Sequence, residues 1–332
     1  MRKNLAIAGV TGAVGQEFLN LLAERQFPFA SLKMLASSRS AGKKISFMGT
    51  EYTVEELTAD SFDGVDIVLF SAGGGRSKEF APAAVKAGAV VVDNSSAFRM
   101  DPDVPLVVPE VNAEAIKQHK GIIANPNCST IIANVPTWPL HKANPIKRMV
   151  ISTYQAASGA GQSAMLEMMQ QAREVLDGKP VTCKTLKYQL AFNAYCHDSK
   201  IGPNGYNEEE MKMVNETHKI FSCPEMAITC TCVRIPVMRT HCESLNLEFK
   251  SPITPDQVRE LLDAAPGVSI IDDRENNYFP MPVDATGKDD VFVGRIRQDE
   301  SIPGNRGINL WIAGDQIRKG AALNTIQIAE LL

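Results

Sequence analysis

Cys128 is the residue whose position in this sequence most suggests covalent chemistry. It follows an Asn-Pro-Asn turn at 125–127 and precedes Ser129, Thr130 and an apolar run that is typical of a helix. Because the dipole of a helix favours a thiolate at its N-terminus, a cysteine placed there is suited to be the nucleophile of an acyl transfer. The structural alternative is a small buried residue that opens a core helix.

A thiolate nucleophile needs an acid or base beside it, and histidine is the usual choice. His241 stands in a long strand-like segment between Arg239 and Glu243, where an imidazole has little structural reason to be present. Spacing alone favours His241 but leaves the other histidines open, namely His119, His141, His197 and His218.

The remaining cysteines do not indicate a metal site. Cys230 and Cys232 alternate along one predicted strand, with Cys223 and Cys242 nearby, but the C-x-x-C spacing typical of structural zinc is missing. We therefore predict buried thiols and no bound metal. The odd total of seven cysteines also disfavours a disulfide framework and indicates a reduced, cytoplasmic protein.

The elements that would position Cys128 begin with a dinucleotide-binding pattern. Residues 4–10 form a short apolar run, typical of a buried parallel strand, which leads into Gly9, Gly12 and Gly15 and then an amphipathic helix. Strand, glycine turn and helix form the context in which backbone amides and a helix N-terminus bind a pyrophosphate. The spacing is GxxGxxG rather than GxGxxG, so the position directly after the first strand carries the prediction.

The end of the second strand, 32–37, indicates which dinucleotide is bound. NAD sites usually end this strand with an acidic residue that binds the ribose 2′-hydroxyl. Here the strand runs into Ser37, Ser38, Arg39 and Ser40, which offer hydroxyls and a guanidinium to a 2′-phosphate. We therefore predict NADP rather than NAD; the alternative is that Arg39 is a solvated loop charge.

Further alternation of strands and helices predicts a parallel sheet for the first half of the chain. Small residues at 71–74 and 93–96 follow two of its strands, at the edge where open α/β sheets bind ligands. The last strand, 121–127, would deliver Cys128 to the same edge, which disfavours the structural interpretation of this cysteine. The other predicted elements of this half are strands at 65–74, 88–96 and 104–112 and a helix near 77–87.

The second half has longer strands and amphipathic helices. Asn207 and Glu210 resemble a capping box that opens a helix over 208–221, which places Glu209 and Lys212 one turn apart on one face. The other predictions are a strand that breaks into a small-residue loop within 148–161, helices at 163–176 and after Thr254, a strand or strand pair over 226–249, and a C-terminal helix over 321–332 that packs back on the first domain.

These patterns predict an α/β protein with a Rossmann-like dinucleotide-binding domain and a second, α+β domain. We place the first domain at 1–127 and about 313–332, and the second at 128–312. A length of 332 residues is consistent with two cores. The net charge of −4 disfavours a broad surface for nucleic acid or acidic membrane, and no run approaches the roughly 18 apolar residues of a membrane span.

Through nearly its whole length the chain resembles the aspartate-β-semialdehyde dehydrogenase family. The most specific segments are FRMDPDVPLVVPEVN at 98–112 and NPNCST at 125–130. The residues beside His241 depart from the pattern, because Thr240 and Cys242 stand where smaller residues are expected. Further matching segments occur in the family's order: GVTGAVGQ (9–16), SSRSAGK (37–43), QAASGAG (155–161), EEMK (209–212), RIPVMRTH (234–241) and AALNTIQIAE (321–330).

The resemblance implies an activity and an assembly. Members of the family reduce β-aspartyl phosphate to aspartate-β-semialdehyde with NADPH and release inorganic phosphate, in the biosynthesis of lysine through diaminopimelate and of threonine, methionine and isoleucine. The implied second domain is catalytic and dimerising, with a mixed sheet. The implied assembly is a homodimer or a dimer of dimers in the cytoplasm, without nucleic-acid or membrane partners.

The resemblance also assigns roles to matching residues. Cys128 would form a thioester, His241 would be the general acid/base, and Gln155 would orient the acyl group. Arg234 and Glu209 would bind the α-carboxylate and the α-ammonium of the substrate, since a guanidinium holds a carboxylate bidentately and a carboxylate suits an ammonium. Holding both ends of the amino acid would fix its reacting carbon near the thiol.

Phosphate and cofactor contacts are implied in the same way. Arg99, Lys212 and Asn127 would bind the phosphate, whose departure two nearby cations favour. The residues implied to bind NADP are Gly9, Thr11, Gly12, Ala13, Val14, Ser37, Arg39, Ser40, Ser71, Ala72, Gly73, Ser158, Gly159 and Asn324.

Three other functions are compatible with parts of the sequence. N-acetyl-γ-glutamyl-phosphate reductase shares the fold and the acyl-phosphate chemistry, but its substrate has a blocked amine, which leaves Glu209 without an ammonium to bind. A short-chain reductase needs Tyr-x-x-x-Lys, and no tyrosine here has a lysine four residues on. A non-catalytic NADP-binding regulator is disfavoured because Cys128 and His241 are both present.

Overall fold

The computed structural model describes residues 2–332, and its chain divides into two compact units. Unit 1 comprises the chain up to Asn127 together with Ala321–Leu332, and unit 2 is Cys128–Gly320. The chain returns to unit 1 later than the predicted residue 313. The reason is that the strand Gly307–Gly314 pairs within the sheet of unit 2, and the buried residues that follow it stay with that unit.

Unit 1 is built on six strands in the order β5-β2-β1-β6-β7-β8, all of them parallel, which confirms the Rossmann-like prediction. The central strands are buried on both faces, as continuous apolar runs require. Its elements are β1 Lys3–Ala8, α1 Ala13–Glu24, β2 Phe29–Ala36, β3 Lys44–Phe47, β4 Thr50–Thr53, β5 Glu55–Glu56, β6 Ile67–Phe70, α2 Gly74–Lys86, β7 Val90–Asp93, α3 Pro109–Asn112 and β8 Ile122–Ala124.

The predicted strand at 104–112 is wrong. Only Leu106 forms a bridge, to Ala124, and the chain then enters the short helix α3. Pro105 and Pro109 explain the difference, because neither has the N–H that a paired strand would use.

Unit 2 is built on a mixed seven-stranded sheet in the order β10-β11-β9-β12-β15-β14-β13. The predicted strand or strand pair over 226–249 is a pair, because a loop ending at Thr240 separates two strands that flank β9. The elements of this unit are α4 Cys128–Ala143, β9 Ile146–Gln155, α5 Gln162–Leu176, β10 Tyr195–Cys196, α6 Glu208–Phe221, β11 Ala227–Arg234, β12 His241–Phe249, α7 Pro255–Asp263, β13 Val268–Ile270, α8 Pro282–Ala285, β14 Val291–Gln298 and β15 Gly307–Gly314.

The C-terminal helix α9, Leu323–Glu330, completes unit 1, as the sequence predicted. Its apolar residues, among them Leu323 and Ile326, share a core with Phe18 and Leu22 of α1. No helix formed by residues 2–332 is both long enough and apolar enough to cross a membrane.

Candidate active site

Unit 1 contains a pocket of about 420 Å³ at the carboxyl ends of β1, β2 and β6. This is the edge at which parallel α/β sheets bind ligands. The pocket brings together most of the residues predicted in this unit to bind the cofactor, namely Gly9, Thr11, Gly12, Ser37, Arg39, Ser40, Ser71 and Ala72.

The glycines of this pocket are required by close backbone approach. Gly9 has φ of +93°, and a Cβ there would lie 2.3 Å from the carbonyl oxygen of Ser71. A Cβ on Gly15 would lie 2.2 Å from the carbonyl oxygen of Gly9. The GxxGxxG spacing therefore packs the first turn of α1 against β1 and brings the turn beside the loop after β6.

Three cations line the pocket, Arg39, Lys43 and Arg76, and none of the described lining residues is acidic. Lys43 and Arg76 were not predicted as cofactor residues. Lys43 lies in the matching segment SSRSAGK, three residues after Ser40, so its spacing was an available signal. Arg76 lies in the first turn of α2, directly after the small-residue strand end.

The other predicted cofactor residues lie elsewhere. Ala13 and Val14 are the first two residues of α1, and Gly73 is the N-cap of α2. Asn324 is fully buried, and its Nδ2 donates to Val107 O at 3.0 Å and Asn125 Oδ1 at 2.7 Å. Its side chain thus supports the turn at 125–127. Ser158 and Gly159 belong to unit 2.

Arg99, predicted to bind phosphate, is also anchored to that turn. Its Nε donates to Asn125 O at 2.9 Å and its Nη2 to Asn94 O at 3.0 Å. These bonds hold a buried guanidinium on the segment that leads into Cys128. Asn127, the other predicted phosphate residue of unit 1, is buried as well.

In unit 2, Gln155 connects the neighbour of the cysteine to the predicted substrate residues. Cys128 is the half-buried first residue of α4. Gln155 Nε2 donates to the hydroxyl of Ser129 at 3.0 Å and to Glu209 Oε1 at 3.4 Å. Lys212 Nζ donates to Glu209 Oε2 at 2.9 Å, so the two predicted side chains of α6 form an ion pair.

Arg234 and His241 meet at the same end of the sheet. Arg234 ends β11 in register with Gln155, and its Nη1 donates to Ala156 O at 2.8 Å. A Cβ on Gly159 would lie 2.9 Å from Arg234 Nη1 and 3.2 Å from His241 Nε2. No side chain would therefore fit at position 159, which is predicted to bind the cofactor, because it would collide with both Arg234 and His241.

The surroundings of His241 fix its protonation. The imidazole is fully buried, and Nδ1 accepts the backbone N–H of Ala156 at 3.0 Å, so the proton of the neutral ring is on Nε2. Nε2 has no hydrogen-bond partner among the described residues. Burial, assisted by Arg234 and opposed by Glu209, lowers the pKa of His241 from 6.5 to about 3. In this arrangement His241 offers a proton at Nε2.

Sequence reasoning missed the turn that follows β15. Asp315 and Gln316 are buried there, and Gly320 closes the turn against Cys128. The segment AGDQIRKG has no catalytic spacing pattern, and only three-dimensional packing brings it to the site.

Both units match family models over most of their length. Residues 4–119 match "Semialdehyde dehydrogenase, NAD binding domain", and residues 138–319 match "Semialdehyde dehydrogenase, dimerisation domain". The first match supports a nicotinamide dinucleotide as the cofactor.

Relatives match across the whole chain. An aspartate-semialdehyde dehydrogenase of Synechocystis is 57% identical, covering 99% of this chain and 96% of its own, and that of Aquifex aeolicus is 51% identical, covering 100% and 98%. Aspartate semialdehyde dehydrogenase II of Vibrio cholerae in complex with ASA is 46% identical, with a TM-score of 0.97 over 100% and 98% of the two chains. The enzyme of Candida albicans with NADP is 26% identical, with a TM-score of 0.78 over 100% and 98%. Likeness of this extent, together with both family models, shows that the chain belongs to the aspartate-semialdehyde dehydrogenase family of oxidoreductases.

Proposed function

We propose that the protein interconverts β-aspartyl phosphate and aspartate-β-semialdehyde with NADP(H) and inorganic phosphate. The observation that carries the proposal is that unit 2 buries one carboxylate, Glu209, and one guanidinium, Arg234, next to Gln155. Glu209 accepts a hydrogen bond from Gln155, and Arg234 is in register with Gln155 on the adjacent strand. An α-amino acid presents a matching carboxylate and ammonium. The relative from Vibrio cholerae, crystallised with ASA, supports the same substrate class.

The proposed reaction has three steps. The Cys128 thiolate attacks the acyl carbon, a C–S bond forms, and the C–O bond to phosphate breaks with phosphate leaving. The reduced dinucleotide, held by the unit 1 pocket, would supply the hydride that reduces the thioester carbon to a thiohemiacetal oxyanion. Collapse of that oxyanion breaks the C–S bond, releases the aldehyde and regenerates the thiolate. NADPH is thereby oxidised while the acyl carbon is reduced.

His241 stabilises the oxyanion in this scheme. Since Nδ1 accepts a backbone N–H, Nε2–H is the available donor, and a donor aimed at a developing oxyanion lowers the barrier of acyl transfer. Gln155 positions the acyl group, because its amide lies between Ser129 and Glu209.

The phosphate is assigned to Lys212, Arg99 and Asn127. Lys212 is the more exposed partner of its ion pair, with 32% of its side chain accessible against 7% for Glu209, so its ammonium can turn to an anion while the carboxylate stays in place. Arg99, in unit 1, has its guanidinium held on backbone carbonyls and is the second cation of this proposal.

NADP is the proposed dinucleotide. Arg39, Lys43 and Arg76 in the unit 1 pocket, without an acidic lining residue among those described, suit the two negative charges of a 2′-phosphate. The Candida albicans relative, whose structure contains NADP, supports this assignment. Ser158 and Gly159 are proposed to approach the nicotinamide, because Gly159 packs over His241. We further propose a homodimer formed through unit 2, where the dimerisation-domain model matches.

The test is the reverse reaction with purified protein, aspartate-β-semialdehyde and NADP, with and without inorganic phosphate, followed by NADPH absorbance. We expect reduction of NADP that requires phosphate and disappears in Cys128→Ala. Absence of turnover in folded, cofactor-binding protein would refute the proposal. Turnover of N-acetylglutamate semialdehyde alone would instead assign the activity of an N-acetyl-γ-glutamyl-phosphate reductase, and activity that survives in Cys128→Ala would refute the thioester.

A further inference from the structure

The residues between β15 and the return to unit 1 form one buried turn, 315–320, which we call the Asp315 turn. Gly320 N donates to Asp315 O at 3.1 Å, an i to i−5 bond that closes a single turn of π-helix geometry. Asp315 and Lys319 are fully buried. Wide turns of this kind are uncommon and are found often at functional sites.

The carboxylate of Asp315 organises the turn and ties it to a second segment. Oδ1 accepts the N–H groups of Ile317 at 3.0 Å and Arg318 at 3.2 Å, and Oδ2 accepts the N–H of Gly287 at 2.7 Å. The carboxylate also pairs with Arg239, whose Nε lies 2.8 Å from Oδ2. A fully buried carboxylate that accepts this many hydrogen bonds holds the segments that donate them in one arrangement, which a surface charge does not do.

The second segment leads directly into His241. Arg239 lies two residues before it. Thr240, the residue between them, has φ of +82°, a conformation that β-branched residues rarely adopt. The N–H of Thr240 donates to Gln316 Oε1 at 2.8 Å, and Gln316 Nε2 donates to the hydroxyl of Ser158. Asp315 and its neighbour therefore hold the strained entry to His241 and the loop that covers its Nε2.

The other end of the turn touches Cys128. A Cβ on Gly320 would lie 2.9 Å from the Cβ of Cys128 and 3.3 Å from its Cα. At the start of the turn, a Cβ on Gly314 would lie 2.9 Å from Ile132, one helical turn after the cysteine. Backbone at both ends of the turn thus packs against the first turns of α4.

We propose that Asp315 is a positioning residue that holds Cys128 and His241 in their catalytic arrangement. Asp315 is fully buried, and its hydrogen bonds and its ion pair are made with groups of the protein. It acts through Arg239 and the strand entry on one side and through the turn ending at Gly320 on the other. The inference rests on the proposed function for the identity of the reaction, but the fixed geometry of the two side chains does not depend on the substrate.

The test compares full-length Asp315→Asn with wild type. Asparagine keeps an oxygen for the turn but removes the charge paired with Arg239. Misplacement of reacting groups by about 1 Å costs about 10²-fold, so we expect kcat to fall by about that factor while the KM values change little. The second measurement is the rate at which iodoacetamide alkylates Cys128 as pH is varied, followed by mass spectrometry of the Cys128 peptide. We expect this rate to differ between Asp315→Asn and wild type. A purely structural role would leave that reactivity unchanged in the folded fraction.

Asp289→Asn is the matched control. Asp289 pairs with Arg318 of the same turn at 2.6 Å, but 43% of its side chain is exposed. We expect its kcat and Cys128 reactivity to match wild type. Equal kcat in Asp315→Asn and Asp289→Asn, or a loss explained by the unfolded fraction in circular dichroism, would overturn the proposal.

If Asp315→Asn does not fold, Arg239→Gln is the second variant, because it removes the same ion pair by changing a partly exposed side chain. A kcat and a Cys128 reactivity equal to those of wild type in Arg239→Gln would also overturn the proposal. If the wild-type protein does not turn over aspartate-β-semialdehyde, the proposed function is refuted. The positioning role of Asp315 is still tested in that case, because the alkylation comparison needs no substrate.

Discussion

The two ring nitrogens of His241 face different surroundings, and this difference determines what the residue can do. Nδ1 accepts the N–H of Ala156, whereas Nε2 lies against Gly159 without a partner among the described residues. A base would need a free lone pair at Nε2, which this tautomer does not have. His241 therefore suits hydrogen-bond donation to an oxyanion better than proton abstraction from Cys128.

Substitution of His241 distinguishes these roles. We expect His241→Ala to lower kcat by about 10²–10³-fold, the usual cost of losing one oxyanion donor. We expect a smaller loss of kcat in His241→Gln, because its amide still donates a hydrogen bond. With a pKa of about 3, His241 is neutral in both directions of the reaction near neutral pH, so lowering pH through 6.5 should not protonate it. The measurement is kcat/KM against pH. An acidic limb near 6.5 that disappears in His241→Gln would contradict this assignment.

Neighbouring lysines provide a test of cofactor choice. Lys43 lines the unit 1 pocket, whereas Lys44 pairs with Glu51 at 3.1 Å and does not line it. Because a hydrogen bond to a charged group contributes about 1.5 kcal/mol or more, Lys43→Met should raise the KM for NADP about tenfold and leave that for NAD unchanged. Lys44→Met should change neither. An equal loss for both dinucleotides in Lys43→Met would mean that Lys43 does not contact the 2′-phosphate.

Residue type and spacing were sufficient to predict the groups of this site that lie in contiguous motifs. Gly9 and Gly12 line one pocket together with Ser37, Arg39 and Ser40, because these residues follow adjacent parallel strands. The sequence could not choose among five histidines without the family resemblance, since burial and tautomer arise from packing. Asp315 gave no signal, because its partners Arg239 and Gly287 are distant in sequence.

At the scale of elements, α6 is the helix that carries Glu209 and Lys212, the two charged residues that we propose bind the substrate. Asn207 Oδ1 accepts the N–H of Glu210 at 2.9 Å, and Glu210 Oε2 accepts the N–H of Asn207 at 2.9 Å. Glu210 Oε1 also accepts the N–H of Cys232 on β11. One capping box thus fixes the first turn of α6, which carries Glu209, to the strand that ends at Arg234.

Removal of this cap should affect substrate binding as well as stability. We expect Asn207→Ala to lower the free energy of unfolding by about 1 kcal/mol and to raise the KM for aspartate-β-semialdehyde. Thr254→Ala is the control, because Thr254 and Gln257 form an equivalent capping box on α7. It should lose similar stability with unchanged KM, as measured by urea denaturation and steady-state kinetics. A raised KM in both variants would show that general loosening, and not the α6 cap, is responsible.

Local rules predicted elements best where they were strong and uninterrupted. The helix over 208–221 has a cap at one end and an amphipathic face, and it occurs as Glu208–Phe221. The apolar segment at 104–112 resembled a strand by composition, but its two prolines removed the donors that pairing requires. The Asp315 turn could not be predicted, since a π-type turn depends on buried acceptors and not on a sequence period.

At the scale of the whole molecule, the apolar face of α5 provides a basis for assembly. Leu166, Met169 and Leu176 are 60%, 42% and 77% exposed, and their spacing places them along one side of the helix. Exposed apolar stripes of this kind usually mark interfaces. We propose that this face is covered by a second copy of the chain.

The double variant Leu166→Glu/Leu176→Glu should therefore dissociate the dimer. Two buried carboxylates would carry a large desolvation cost at an interface and none on a free surface. Light scattering after size exclusion would give the mass of one chain in place of two. Met48→Glu, which changes a similarly exposed residue of unit 1, should remain dimeric. A double variant that stays dimeric would place the interface on another surface.

The contact between Gly320 and Cys128 also has a consequence for modularity. These are the last and first residues of unit 2, so that unit starts and finishes at one spot. Unit 2 is therefore a domain inserted into the chain of unit 1, which we call the host, and the two ends of the insert are adjacent. About three glycines, at up to about 3.4 Å each, would reconnect Asn127 to Ala321 in the host. We expect the resulting miniature protein to fold and to bind NADP, measured by calorimetry, and an unfolded product would mean that the host depends on its insert. Domain insertion is tolerated where the ends of the insert lie close together, so this junction allows one cofactor module to be combined with different substrate modules.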